Sequence, residues 1–313
     1  MTVLEKEASQ GPKHRLQKQP RTRKQKQRLL SNIVLQFLAM VGIGLLLYPD
    51  AADWVNSLSH NAEISGYVKQ VENTSPEERQ HKLDVAYTYN DQLDPGPLTD
   101  PYLSEAEDAA LGSDLYKAYE EMLRLNGTDA IGTVNYPGVD ISLPIYHGTT
   151  NEVISKGAGH MYGTSLPIGG PSTRAVMTAH SGLPHAKLFT GLHKAEVGDT
   201  FWISVLGEDH YYQVRELETV LPNETDSLTI IDGEDWVTLF TCTPVGVNSH
   251  RLLVHAERIP APENSGDQII GGDGITAGFP WWLLIFIAGS ALVAFVLFKP
   301  AKKKKKDTPK EVL

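Results

Sequence analysis

The chain of 313 residues contains one thiol, Cys242. A lone cysteine can build no internal disulfide and no cysteine-based zinc cluster, so packing, an intermolecular link and reactivity remain. Buried packing is the commonest of these. The surrounding residues argue for reactivity. Thr238-Leu239-Phe240-Thr241-Cys242 is a β-prone run, and Pro244 halts the ladder two residues later. Gly246-Val247-Asn248-Ser249 then makes a turn into Arg251-Leu252-Leu253-Val254. The spacing predicts a hairpin with positions 242 and 251 opposite each other, their Cβ atoms about 5 Å apart. A guanidinium in that position is expected to lower the thiol pKa and to bind an anionic oxygen. An arginine that merely pairs with carboxylates on a sheet rim fits the same spacing.

A cysteine nucleophile needs an acid/base partner, and the chain offers eleven histidines. His14 lies in a basic N-terminal tail and drops out. His180 follows the strand-like run Arg174–Ala179 and precedes a Ser181-Gly182 turn, which predicts a rim position. His160, in Gly159-His160-Met161, is the main rival. His250 should face away from Arg251 by strand alternation. Pattern alone leaves His180 and His160 both open.

The elements that must position these residues are short strands. Alternating or apolar runs at Ile131–Asn135, Ser142–Tyr146, Thr173–Ala179, Asp199–Leu206, Tyr211–Val220, Trp236–Thr243 and Arg251–Arg258 are separated by Gly and Pro turns. Such spacing predicts a mostly β domain, a barrel or a sandwich. Helices precede it. Ala51 to Gln92 reads as helical, with a start signal at Ser75-Pro76-Glu77-Glu78, and a second capping box at Ser104 and Glu107 opens a helix ending near Asn126-Gly127.

Two apolar stretches, Leu29–Tyr48 and Phe279–Phe298, carry no charged residue. Twenty helical residues rise about 30 Å, the thickness of a bilayer core. Trp281 and Trp282 sit where an interfacial belt belongs. Ser31, Asn32 and Gln36 make the first stretch less clean, and a retained anchor is preferred over a cleaved signal. The resulting division is a basic tail (1–28), a transmembrane or signal-anchor helix (29–48), a helical region (49–129), a β domain (130–260), a linker (261–278), a second span (279–298) and a basic tail (299–313). Lys and Arg flank both spans, which predicts cytoplasmic termini and an external domain. Subtracting tails of +7 (residues 1–30) and +5 (residues 299–313) from the whole-chain charge of −10 leaves −22 between them. The basic runs are therefore read as lipid-facing, and a nucleic-acid partner is not expected. No metal site or cofactor is expected either.

The run Thr238 to Cys242 resembles the TLxTC signature of sortases. Its continuation through Thr243-Pro244, Gly246-Val247-Asn248 and His250-Arg251-Leu252-Leu253-Val254 is similar to the pilin-polymerising class C branch. Gly157 to Gly170 and Thr178-Ala179-His180-Ser181-Gly182-Leu183-Pro184 resemble the same branch, and the likeness covers roughly residues 60 to 260. It implies a closed eight-stranded barrel, one strand more than the pattern yields. It also implies His180, Cys242 and Arg251 as the catalytic set, Thr241 and Leu239 as substrate-binding, and His160 as structural. Asp100-Pro101-Tyr102, near 98–103, resembles the class C lid, in which the Asp meets the catalytic Arg and the aromatic covers the thiol. Tyr102 departs from the more usual Trp or Phe, Ala179 from Gly, and Val245 from Tyr. The implied substrate is an LPxTG-like sorting signal, and the implied acceptor is a pilin Lys amine. The implied setting is the plasma membrane of a Gram-positive-type cell. Two other readings are a sortase attaching proteins to peptidoglycan and a non-catalytic anchored adhesin or sensor with Cys242 as filler.

Overall fold

The computed structural model describes residues 22–94, 98, 100, 102, 111–222, 224–262 and 278–299. The expected capping box at Ser104 and Glu107, Pro101, and most of the tails and linker lie outside the described residues. The chain divides into two compact units, 1–46 with 284–313, and 47–283.

In the first unit, Asn32 Nδ2 donates to Leu297 O at 2.5 Å and Gln36 Nε2 to Ser290 O at 3.0 Å. Two of the three polar residues of the first apolar stretch thus bond backbone carbonyls of the other apolar helix, the way such groups are accommodated where water is absent. Both helices, α1 (Arg23–Asn73) and α5 (Trp281–Phe298), are long and apolar enough to cross a membrane. α1 does not stop at the end of the apolar stretch. It runs for 51 residues through Pro49, which forfeits one backbone donor while the flanking turns continue.

In the second unit, α2 (Pro76–Gln92) begins where its capping residues predict: the Ser75 side chain accepts from Glu78 N at 3.2 Å, and Pro76 opens the first turn. α3 (Asp114–Glu120) is capped by Ser113 and buries Tyr116 and Tyr119. α4 (Asn151–Lys156) is capped by Thr150.

The strands are β1 (Gly132–Tyr136), β2 (Ile141–His147), β3 (Ala158–His160), β4 (Thr173–Thr178), β5 (Thr200–Val205), β6 (Glu208–Val220), β7 (Asp235–Thr243) and β8 (His250–Arg258). They close into a barrel in the order β1-β2-β3-β4-β7-β8-β6-β5. Closure leaves no free edge. The strand missing from the sequence pattern is β3: three residues, one a glycine, offer no alternation to detect. It runs parallel to β2 and antiparallel to β4.

Side-chain alternation on β7 and β8 divides two apolar layers. Val237, Leu239, Val254 and Ala256 join the main core, while Phe240 and Leu253 join a second cluster with Met161, Val176, Val220 and Leu228. Leu98 and Tyr102 pack against that second cluster. Cys242 shares the parity of Phe240, so its face of β7 is the one covered by residues 98 and 102.

Candidate active site

Cys242 and Arg251 are partners in the β7–β8 register, as the hairpin spacing predicts. β4 lies on the other side of β7 in parallel, and His180 follows β4 by two residues. The Ser181-Gly182 turn then packs against the β7–β8 connection. Gly182 has φ +73, and a Cβ there would meet Val245 Cγ1 at 2.5 Å, so this approach needs glycine. Ser181 Oγ donates to Cys242 O at 2.7 Å, and Thr241 Oγ1 donates to Ala179 O at 2.8 Å. Both bonds tie the segment carrying His180 to the strand carrying the thiol.

Asp100 and Tyr102 complete the cluster. Asp100 Oδ2 accepts from Arg251 Nε at 2.9 Å and from Nη2 at 2.7 Å. Arg251 Nη1 donates to Asn248 O at 3.0 Å and His250 O at 3.1 Å, so every guanidinium nitrogen is engaged. Tyr102 N donates to Asp100 Oδ1 at 2.9 Å, which fixes the carboxylate within its own turn. The Tyr102 ring lies 5.1 Å from the Arg251 guanidinium carbon, stacks on Phe240 at 5.9 Å, and sits 5.7 Å from the His180 ring. Its hydroxyl donates to Ala179 O at 2.7 Å and accepts from Thr178 Oγ1 at 2.8 Å. The tyrosine found where tryptophan or phenylalanine is more usual in the resembled motif thereby gains two bonds neither could make through a hydroxyl.

This cover buries the thiol and reverses the expectation for its ionisation. Cys242 is 6 % exposed rather than partly open, yet it belongs to neither apolar core cluster: it is sealed at a strand end by a neighbouring segment. Its pKa is raised, not lowered. Burial is the largest cause; Arg251 pulls the other way, Asp100 opposes that pull, and the Tyr102 hydroxyl favours the thiolate. A guanidinium already neutralised by a carboxylate does little for a second anion. Burial also lowers the His180 imidazole. Thiol and imidazole are both held toward their neutral forms.

The structure separates the histidines that sequence left open. His160 is fully buried, its Nδ1 2.8 Å from Tyr119 Oη and its Nε2 2.7 Å from Ser165 O, with burial lowering its pKa to about 4. That is a strut between α3 and the β3–β4 loop. His250 is turned to Ser249, with Nδ1 and Oγ 2.9 Å apart. His180 alone of the three packs on Tyr102.

Leu239, expected to touch a substrate, lies instead in the main core because strand alternation turns it away from the thiol's face. Thr241 is fully buried with its hydroxyl committed to Ala179 O, so it supports the His180 segment. The residue that presents an apolar ring on the thiol's face is Phe240. Among the described residues no group of three or more His, Cys, Asp or Glu is arranged to hold a metal ion.

Comparison with known proteins matches residues 134–259 to the sortase domain family. The crystal structure of sortase C-1 from Actinomyces oris is 43 % identical at a TM-score of 0.56, covering 59 % of this chain and 100 % of that one. The chain belongs to the sortase family, in its class C branch. The pilus-related sortase C of Group B Streptococcus is 40 % identical at a TM-score of 0.57, covering 64 % of this chain and 97 % of that one. Sortase A of Streptococcus agalactiae is 32 % identical over 152 residues, which spans 59 % of that relative's length. In this sortase Cys242, His180 and Arg251 all border the cover made by Asp100 and Tyr102.

Proposed function

We propose that this sortase is a membrane-held transpeptidase that cleaves an LPxTG-like sorting signal between Thr and Gly and joins the acyl group to a lysine amine of a pilin subunit. The observation that carries the reading is the Cys242–Arg251 pair at one strand end, held under Asp100 and Tyr102 and bordered by His180. With the cover displaced, Arg251 loses its carboxylate and the thiol its burial, so the pull of the guanidinium on the thiolate is no longer cancelled. The Cys242 thiolate attacks the Thr carbonyl, and Arg251 stabilises the oxyanion. The Thr–Gly bond breaks as His180 gives its proton to the departing Gly amine, leaving a thioester on Cys242. An incoming lysine amine then attacks the thioester, His180 accepts its proton, and an isopeptide bond forms as the thiolate is released. Pro101 is assigned to the same proposed lid by its place in the Asp100-Pro101-Tyr102 run alone. The pilus relation of the Group B streptococcal neighbour supports a pilin acceptor.

The two apolar helices support an anchored enzyme with both termini cytoplasmic and the barrel outside. Full-length enzyme in membranes, supplied with a signal-bearing pilin precursor, should yield covalent ladders whose cross-links map to Thr–Lys isopeptides. Products carried only on a wall-peptide amine would replace the pilin reading with the peptidoglycan one. Ladders that persist in Cys242→Ala would end both.

A further inference from the structure

His180 is held by more than the strand it follows. Its ring Nε2 is 2.9 Å from Asn151 Oδ1, and its backbone N donates to Ile154 O at 3.3 Å. Both partners belong to α4, one turn apart, so the histidine is gripped by side chain and main chain on the same helical face. α4 is itself fixed. Thr150 Oγ1 accepts from Val153 N at 3.4 Å, and Ile154 is buried. The loop beyond His180 is tied to α1: Lys187 N donates to Asp53 Oδ1 at 2.9 Å, and Lys187 Nζ lies 3.0 Å from Asp53 Oδ2.

We infer that Asn151 is a positioning residue for His180, holding the imidazole with its proton on Nε2 and leaving Nδ1 to exchange protons at the thiol's site. An amide oxygen is an acceptor only, so the ring nitrogen facing it must carry hydrogen. The other nitrogen then holds the lone pair in the neutral ring and the mobile proton in the imidazolium. A neutral acceptor suits this task where a carboxylate would not: it orients both protonation states without strongly favouring the charged one. Tyr102, whose ring centroid lies 5.7 Å from that of His180, limits the remaining rotation while the cover is closed. Once the cover leaves, the Asn151 bond and the Ile154 bond are what keep the ring aimed. The kinetic part of this inference rests on the transpeptidase reading; the tautomer part does not.

The test uses the full-length chain in detergent micelles, labelled with 15N-histidine, with the His180 resonances assigned by their loss in His180→Ala. The expected spectrum is a neutral ring protonated at Nε2. In Asn151→Ala the two tautomers should mix and the ring should titrate at lower pH, because an acceptor that favours the imidazolium is gone. Asn151→Asp should restore the Nε2–H tautomer and titrate at higher pH. Thioester formation with a sorting-signal peptide should fall about 10- to 100-fold in kcat for Asn151→Ala, part of the 10²–10⁴ that acid–base catalysis supplies, with KM held. The acid limb of the pH–rate profile should move with the ring in Asn151→Asp. If Asn151→Ala does not fold, the Asp variant's tautomer and profile still decide. An unchanged tautomer and titration in the variants overturns the inference, as does a changed ring with unchanged kcat. A wild-type chain that forms no thioester would instead count against the role of Cys242, and the ring resonances would still decide the Asn151 contact.

Discussion

Strands β7 and β8 carry the same three-part arrangement at both rims of the barrel. At one rim Arg251 lies 2.7 Å from Asp100 and 5.1 Å from the Tyr102 ring; at the other Arg258 lies 3.5 Å from Asp235 and 5.6 Å from the Tyr212 ring. The origins of the aspartate and the tyrosine differ. Asp235 and Tyr212 are strand residues of the barrel, bonded to each other at 3.2 Å, and Asp235 also accepts from Gly170 N at 2.9 Å. Gly169, at φ +66, leaves the room: a Cβ there would meet Asp235 Oδ2 at 2.5 Å. That rim is part of the fold. Asp100 and Tyr102 belong to no strand, so the proposed lid movement would unpair none. One chemical device is used twice, woven into strands at one rim and, on the proposed reading, detachable at the other.

Breaking each rim in turn should separate the two roles. The largest effect belongs to Arg251→Ala, which should slow thioester formation by about 10²–10³, the usual cost of a lost oxyanion donor. Arg258→Ala should leave that rate unchanged and lower the melting temperature instead. Single-turnover mass spectrometry and thermal unfolding read the two.

Next comes Asp100→Ala. Asp100 raises the thiol pKa, so its removal should lower it, and opening the cover should lower it further. A lower pKa means more thiolate at neutral pH, and an open cover means freer access, so alkylation of Cys242 should accelerate in Asp100→Ala. In wild type the alkylation–pH profile should have its midpoint above the ordinary thiol value of 9.0, and Asp100→Ala should bring it down. Asp235→Ala should alter neither rate nor midpoint. It should cost about 1–3 kcal/mol of stability, the typical result of leaving buried donors unpaired, measured by urea unfolding.

Tyr102→Phe should have the smallest effect. It keeps the ring stack and loses two hydroxyl bonds of about 1 kcal/mol each, which loosens the cover, but it also removes a hydroxyl that favours the thiolate, so the two effects oppose and the net change in alkylation should be smaller than in Asp100→Ala. Equal alkylation rates for Asp100→Ala and wild type would erase the distinction between the rims.

Much of this was legible in the residues. The Cys242–Arg251 pairing follows from a turn flanked evenly by two β-prone runs, and the Ser75 cap from four consecutive residues. β3 was hidden because a three-residue strand with a central glycine has no period. The choice between His160 and His180 was hidden because both stand at or just past strand ends, beside turn-forming residues. What separates them is the partner, a tyrosine from α3 in one case and Asn151 with Tyr102 in the other. The direction of the thiol's shift was not legible because Arg251 and its partner Asp100 are 151 residues apart in sequence, and a local reading credits the arginine with a free charge. Leu239 was misassigned by motif where strand alternation alone would have turned it inward.

The most direct measurement is intact-protein and peptide mass spectrometry of the full-length chain trapped with a sorting-signal peptide. A single acyl adduct, hydroxylamine-labile and located on Cys242, is the predicted result. An adduct on any other residue, or none in a chain whose Cys242 alkylates freely, would contradict the account.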